Sequence, residues 1–233
     1  MFPFIKTIAS IKRAKLISLM IGCALLAVLI VIILIVLITW GASYLAEFET
    51  EWMNTLVTSF AGVVSSIAGW FMLPSLTILI GGIFQETVIH RVEKYYYPDK
   101  MRKESPKFWP DFFHDVRFTL KSIFLNILIF PTYFFAIGFV ISILLNTYLL
   151  GREFFETAAG HHLGKARARE ILKQNKSNVY GSGFVITLLN LIPVLNVFMP
   201  IIGMVWMVHV YHFIQNKSEN KQIKTLKEID HKL

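Results

Sequence analysis

Hydrophobic positions in this chain come in long unbroken windows rather than in alternating stripes. Four windows contain no Asp, Glu, Lys or Arg: Leu16 to Ala46, Trp52 to Gln85, Ser122 to Gly151 and Ser177 to Asn216. A helix needs about 20 apolar residues to cross the hydrocarbon core of a bilayer, and every window exceeds that. Strands of a membrane β-barrel would alternate with period two and end after about 10 residues, so the pattern excludes that class. It predicts an all-α integral membrane protein, with long transmembrane helices over about 16–46 and 52–85.

The last two windows are interrupted. Pro193, Asn196 and Pro200 separate two apolar arms, Gly183 to Ile192 and Ile201 to Phe213. Each arm, at 1.5 Å per residue, spans roughly half of a 30 Å core. Proline removes a donor and disfavours helix at the preceding residue, so these residues read as the tip of a re-entrant hairpin over about 180–214. Pro131 divides the third window in the same way and suggests a hairpin over about 118–151, although the arm after it could nearly span alone. Proline kinks in ordinary spanning helices are the competing reading. Between the hairpins, Arg152 to Gln174 reads as an interfacial amphipathic helix, with Phe154, Phe155, Ala158, Ala159, Leu163 and Ala166 opposite a charged face. Residues 1–216 thus form one membrane domain, and 217–233 a charged cytoplasmic tail.

Charge refines the topology. The 233 residues are 55% hydrophobic and 16% charged, with mean hydropathy +0.58 and formal net charge +8. All 23 Lys and Arg lie in residues 1–15, 86–121, 152–176 and 217–233. The link from Glu47 to Glu51 holds three Glu and no cation, so it should face away from the cytoplasm. If both interrupted windows enter and leave on one face, every cation lies inside. The first window is about twice the length of a signal-peptide apolar core and is expected to remain in the mature protein. Basic residues beside apolar windows fit anionic lipid better than nucleic acid, and the single Cys23 excludes an internal disulfide or a thiolate metal cluster.

Little in the chain resembles a catalytic motif. Gly160-His-His-Leu-Gly164-Lys165 is one residue short of a phosphate loop and is followed by Ala166. No Gly-x-Ser-x-Gly turn presents a nucleophile. His161 with His162, and His209 with His212, raise the question of a metal, but no Cys and no obvious carboxylate partner stands near them in sequence, so neither metal nor cofactor is expected. The cluster Ser10-Ile11-Lys12-Arg13, with Lys15, is more suggestive. If Ser10 caps the first long helix, free backbone N–H groups and the positive helix end lie beside two cations, which together make an anion site. The competing reading is that these residues are only topology determinants, as basic residues beside a first membrane helix usually are.

Two stretches carry a family likeness. Asn146-Thr-Tyr148-Leu-Leu-Gly-Arg152-Glu153-Phe-Phe-Glu156 resembles the Asn-x-Tyr-Leu-Leu-x-Arg-Glu-aromatic run of the CysZ family of bacterial sulfate permeases. Leu191-Ile-Pro193-Val-Leu-Asn196, followed by Met199-Pro200, resembles that family's Ile-Pro-x-x-Asn segment. The resemblance implies two long transmembrane helices and two partly penetrating helical hairpins in a multi-pass protein of the bacterial inner membrane. It also implies sulfate uptake that feeds cysteine synthesis, with an anion site at a Gly-x-Arg-Arg turn before the first long helix. Ser10, Ile11, Lys12 and Arg13 occupy the matching positions, with Ser in place of Gly and Lys in place of one Arg. Arg13 would then hold the oxyanion through paired N–H donors, Lys12 would add charge, and backbone near Ile11 would complete the cradle. Arg152 and Glu156, at i and i+4, are expected to form an ion pair, and Pro193, Asn196 and Pro200 to shape the second hairpin tip.

The expected partners are sulfate or a related oxyanion, membrane lipid and further copies of the chain, since two full spans can hardly enclose a pore. A non-transporting scaffold or lipid-binding protein is the alternative, followed by a membrane enzyme that uses the histidines.

Overall fold

The computed structural model describes residues 3–45, 50–102, 108–135 and 137–230, and every regular element in them is helical. Three of the four windows open or close within a residue or two of a helix end. α1 (Phe4–Arg13) precedes α2 (Leu16–Leu45) and α3 (Glu51–Ile83). Of the acidic link between the two long helices, residues 46–49 lie outside the described residues.

Next come α4 (Gln85–Tyr96) and a 3₁₀ turn at Pro98–Lys100. α5 (Phe108–Ile129) and α6 (Ile137–Leu163) are separated by a 3₁₀ turn at Phe130–Phe134. α7 (Lys165–Gln174), α8 (Lys176–Asn190), the single turn α9 (Pro193–Asn196) and α10 (Met199–Asp230) complete the chain.

Among the described residues, α2 and α6 are the helices long and apolar enough to cross a membrane. α2 and α3 lie antiparallel. A Cβ on Gly62 would approach Thr39, whereas one on Gly69 would lie 2.7 Å from Val31 and 3.2 Å from Ile35. α2 buries a seam of Leu16, Cys23, Ala27 and Val31 and exposes Leu25, Leu29, Ile32, Ile33, Val36 and Leu37. A helix that is apolar on every face, with most of that surface uncovered, is built for lipid.

The rest of the chain forms a dense base around α10. Met204, Val205, Trp206, Met207 and Val208 are consecutive and fully buried, so this stretch of α10 is enclosed by neighbours on all sides. α6 and α8 cross at a pair of glycines. A Cβ on Gly183 would stand 2.6 Å from the carbonyl oxygen of Thr147 and 2.7 Å from Cα of Gly151, so only glycine permits this approach. Gly203 of α10 likewise lies under the Phe154 ring, at 2.7 Å from where its Cβ would be.

The segment expected as one interfacial helix, Arg152 to Gln174, divides differently. α6 runs through Arg152 to Leu163 without a break, and its Gly151, Arg152, Phe154, Phe155, Glu156, Ala158, Ala159 and Gly160 are buried in the base. No Gly or Pro able to stop the helix acts before Gly164, whose φ of 77° ends it. Only α7 remains as a separate short linker. The expected tail is also helical, because α10 continues as far as Asp230.

Candidate functional site

Three polar centres are built into this framework. The first is the basic turn between α1 and α2. Pro3 precedes a helix that begins at Phe4, so Ser10 stands within α1 and does not cap α2. Its hydroxyl donates to the carbonyl oxygen of Lys6 at 2.7 Å and lies 2.8 Å from Nε2 of His209. Ile11 is inside the same helix, where the backbone N–H groups serve the helix itself. The expected cap at Ser10 and cradle at Ile11 are therefore corrected. The break falls at Ala14 and Lys15, and Lys15 takes φ 52°, a left-handed conformation uncommon for a residue other than glycine. Its carbonyl oxygen accepts from Nη1 of Arg91 at 3.2 Å. Lys12 and Arg13 occupy the exposed last turn of α1. The uncommitted N–H groups belong instead to the first turn of α2, just beyond the turn.

The second centre is a cavity of about 350 Å³ lined by His114, Arg117, Phe118, Lys121, Arg152 and Arg169, contributed by α5, α6 and α7. Four of these six residues are cations. Arg152 is 4% exposed and donates through Nε to Oε1 of Glu156 at 2.7 Å, the i, i+4 pair suggested by the spacing. Its guanidinium sits 4.3 Å from the Phe118 ring centroid, while Lys121 donates to the Tyr148 hydroxyl at 2.9 Å. These contacts join residue 118 to 152 and 121 to 148, so α5 and α6 fold back on each other about the Phe130–Phe134 turn. Glu153 faces a separate, mostly apolar cavity lined by Thr119, Ser122 and Asn126. Asn146 stays local, donating to the carbonyl oxygen of Ser142 at 2.9 Å.

The third centre lies deep in the base. Glu93 of α4 is 1% exposed, and its Oε1 accepts from Nε2 of His162 at 2.6 Å and from Nε2 of His212 at 2.9 Å. Burial by itself pushes this carboxyl up. The two imidazoles, through hydrogen bonds and charge, outweigh burial and bring it down to about 2. Tyr97 stacks on His212 with ring centroids 3.8 Å apart, and Tyr211 stacks on His162 at 5.3 Å.

Tyr97 also begins a directional chain. Its phenol lies 2.8 Å from Nδ1 of His209, and burial, followed by the charge of Glu93, pushes it up to about 12. It therefore remains a donor. Because Ser10 spends its hydroxyl proton on Lys6, the order is Tyr97 O–H to His209 Nδ1, His209 Nε2–H to Ser10 Oγ, and Ser10 O–H to the Lys6 carbonyl oxygen. That sequence fixes a neutral His209 with its proton on Nε2.

The structure thus separates the two histidine pairs. His209 joins α1, His212 joins Glu93, and His162 meets them from α6. Sequence spacing had placed no carboxylate near these histidines, yet Glu93 reaches them across separations of 69 and 119 residues. At the second tip, Pro193 starts α9, and Met199 and Pro200 open the buried part of α10. Oδ1 of Asn196 is buried with no hydrogen-bond partner.

A family model described as Sulfate transporter CysZ/Etoposide-induced protein 2.4 matches residues 3–200. The match takes in most of the chain and all three centres except for His209, Tyr211 and His212, and the chain belongs to that family. No curated protein and no solved structure matches it. The family is one of transporters rather than enzymes, and with two apolar helices of spanning length the chain is a membrane protein.

Proposed function

We propose that this member of the CysZ family is a permease for sulfate or a related oxyanion in the bacterial inner membrane, feeding cysteine synthesis. The observation that carries the reading is the cavity lined by Arg117, Lys121, Arg152 and Arg169, where Glu156 engages Arg152 from behind and, among the described residues, no acidic side chain lines the cavity itself. Arg152 is held by Glu156, while Arg117 and Lys121 are exposed and Arg169 is half-buried, so like charges gathered around one cleft attract and concentrate anions. Arginine also suits a tetrahedral oxyanion, since its planar fork offers two parallel donors. The Lys12–Lys15 turn supplies a second basic surface at the start of α2. There Arg13 and Lys12 act with the free N–H groups of the α2 first turn rather than with Ser10 and Ile11.

The proposed topology has α2 and α3 crossing, and the α5–α6 and α8–α10 pairs entering from the cytoplasmic face. α8, with 15 residues, is about 22 Å long, too short to span a 30 Å core. The uncovered apolar surface of α2 fits lipid and neighbouring copies in a homo-oligomer that would shield the hairpin tips. Inward movement of a dianion against 100 mV costs about 4.6 kcal/mol. α2 holds no Asp or Glu, and α3 holds only Glu51 at its start, so neither offers a mid-membrane proton relay. Flow down a gradient maintained by consumption is the mechanism proposed.

Radiolabelled sulfate uptake into proteoliposomes without an imposed gradient tests this reading. Saturable uptake that is lost in Lys12→Ala/Arg13→Ala and in Arg117→Gln/Lys121→Gln supports it and both basic surfaces. Uptake that requires a proton or sodium gradient overturns the passive mechanism. No uptake of sulfate, sulfite or thiosulfate returns the protein to the scaffold or lipid-binding reading. Labelling from outside of a single cysteine placed at 160–165 would refute the hairpin topology.

A further inference from the structure

We propose that Glu93, His162 and His212 form a binding site for one divalent transition-metal ion, zinc by preference, that ties α4, α6 and α10 together. The three residues come from three helices that are distant in sequence. Their ligand atoms, a carboxylate oxygen and two imidazole nitrogens, all lie within 4.8 Å of one another. Glu93 and His212 are each 1% exposed, and His162 is partly buried beside them. Two imidazoles and one carboxylate are a donor set that zinc accepts, with a fourth position left for water.

The rings are already aimed. Both histidines point Nε2 at the same Glu93 oxygen, at 2.6 Å and 2.9 Å. A tetrahedral ion with bonds of about 2.0–2.1 Å would hold its ligands about 3.3 Å apart. Relative to Glu93, His162 therefore needs to withdraw by about 0.7 Å and His212 by about 0.4 Å to admit the ion. Stacking on Tyr211, with an interplanar angle of 16°, and on Tyr97, at 17°, keeps the ring planes fixed during that shift.

Binding through Nε2 also requires the ring proton to move to Nδ1. In His212 this atom is buried and has no hydrogen-bond partner, so no existing contact has to break. Other imidazoles lie close but take different roles. His161 packs edge-on against His162, and His209 is committed to Tyr97 and Ser10. The charge of the ion, partly neutralised by Glu93, replaces two hydrogen bonds with coordinate bonds in the most deeply buried part of the base. This role does not depend on sulfate transport and adds no reaction step.

The full-length protein, purified in detergent and stripped with EDTA, is titrated with Co²⁺ and followed by visible absorption. It is then exchanged with Zn²⁺, desalted and analysed for metal. The expected result is one metal per chain, the intense d–d bands of a tetrahedral site, their loss on adding Zn²⁺, and a higher Tm in the zinc form. His162→Gln and His212→Gln should each lose the bands, whereas His161→Ala should retain them. Monodisperse wild-type protein that holds only trace metal and shows no tetrahedral spectrum overturns the proposal, whether or not the variants fold. Full metal retention in His162→Gln/His212→Gln overturns it as well.

Discussion

The α2–α3 pair and the base around α10 solve opposite problems with similar residues. In α2 the large aliphatic side chains are exposed: Leu25 at 64%, Val36 at 59% and Leu29 at 53%. In α10 the run from Met204 to Val208 is at most 1% exposed, and nearby polar groups are buried with it. An apolar helix can therefore stand in lipid with little protein around it, whereas Glu93, Arg152, His209 and His212 require enclosing partners. The difference shows where stability resides: the long pair depends on its solvent, and the base depends on its internal contacts.

The base should fail first when its closest crossing is forced apart. Gly183→Leu places a side chain where even Cβ would lie 2.6 Å from the Thr147 carbonyl oxygen. We expect loss of monodisperse protein on size exclusion, and for Gly183→Ala a penalty of about 1–3 kcal/mol.

Next in size is Arg152→Met, which takes from the buried Glu156 its guanidinium partner and leaves the His114 ring 3.6 Å away. About 3–5 kcal/mol should be lost in thermal or denaturant unfolding, and Arg152→Met/Glu156→Met should recover most of it. Failure of the double variant to recover would mean that the pair is not coupled as the 2.7 Å contact implies.

A smaller effect is expected from His209→Leu. It removes the middle of the Tyr97–His209–Ser10 chain and leaves the Tyr97 phenol without its acceptor, for about 1–3 kcal/mol. Trypsin cleavage at Lys6, Lys12 and Arg13 should accelerate as α1 comes away. In the long pair, Leu29→Ala and Val36→Ala should change Tm in detergent little, within about 0.5 kcal/mol. Lys12→Ala/Arg13→Ala should leave Tm unchanged while removing uptake. A large loss of stability from these exposed positions would erase the division between the two regions.

Much of the fold was legible because the signals were local. The first two charge-free windows coincide with α2 and α3, the fourth opens with α8, and Pro131, Pro193 and Pro200 mark the places where the chain turns. The misreadings also had local causes. Ser10 looked like a cap because the basic cluster beside it resembled a helix start, but the true break uses the left-handed Lys15, which has no sequence signature. Arg152 to Leu163 looked interfacial because its charges recur at helical spacing, although Gly203 of α10 packs on Phe154 and Arg152 pairs with Glu156 inside the base. The meeting of Glu93 with His162 and His212 is a tertiary event across three helices. A lone glutamate on an amphipathic helix carries no mark of its partners. The basic cavity was hidden for the same reason, because Arg117 and Arg169 read separately as ordinary solvated charges.

Cys23 is 4% exposed and forms part of the seam that α2 buries. As the chain's single cysteine, it makes the native protein a nearly silent background for thiol chemistry. A maleimide or spin label should react slowly with the folded wild type and readily with a cysteine introduced at an exposed position outside the long apolar helices, such as Ile8. Accessibility mapping and distance measurements between copies can therefore begin from the unaltered sequence, and a rise in Cys23 reactivity will report separation of the α2 seam.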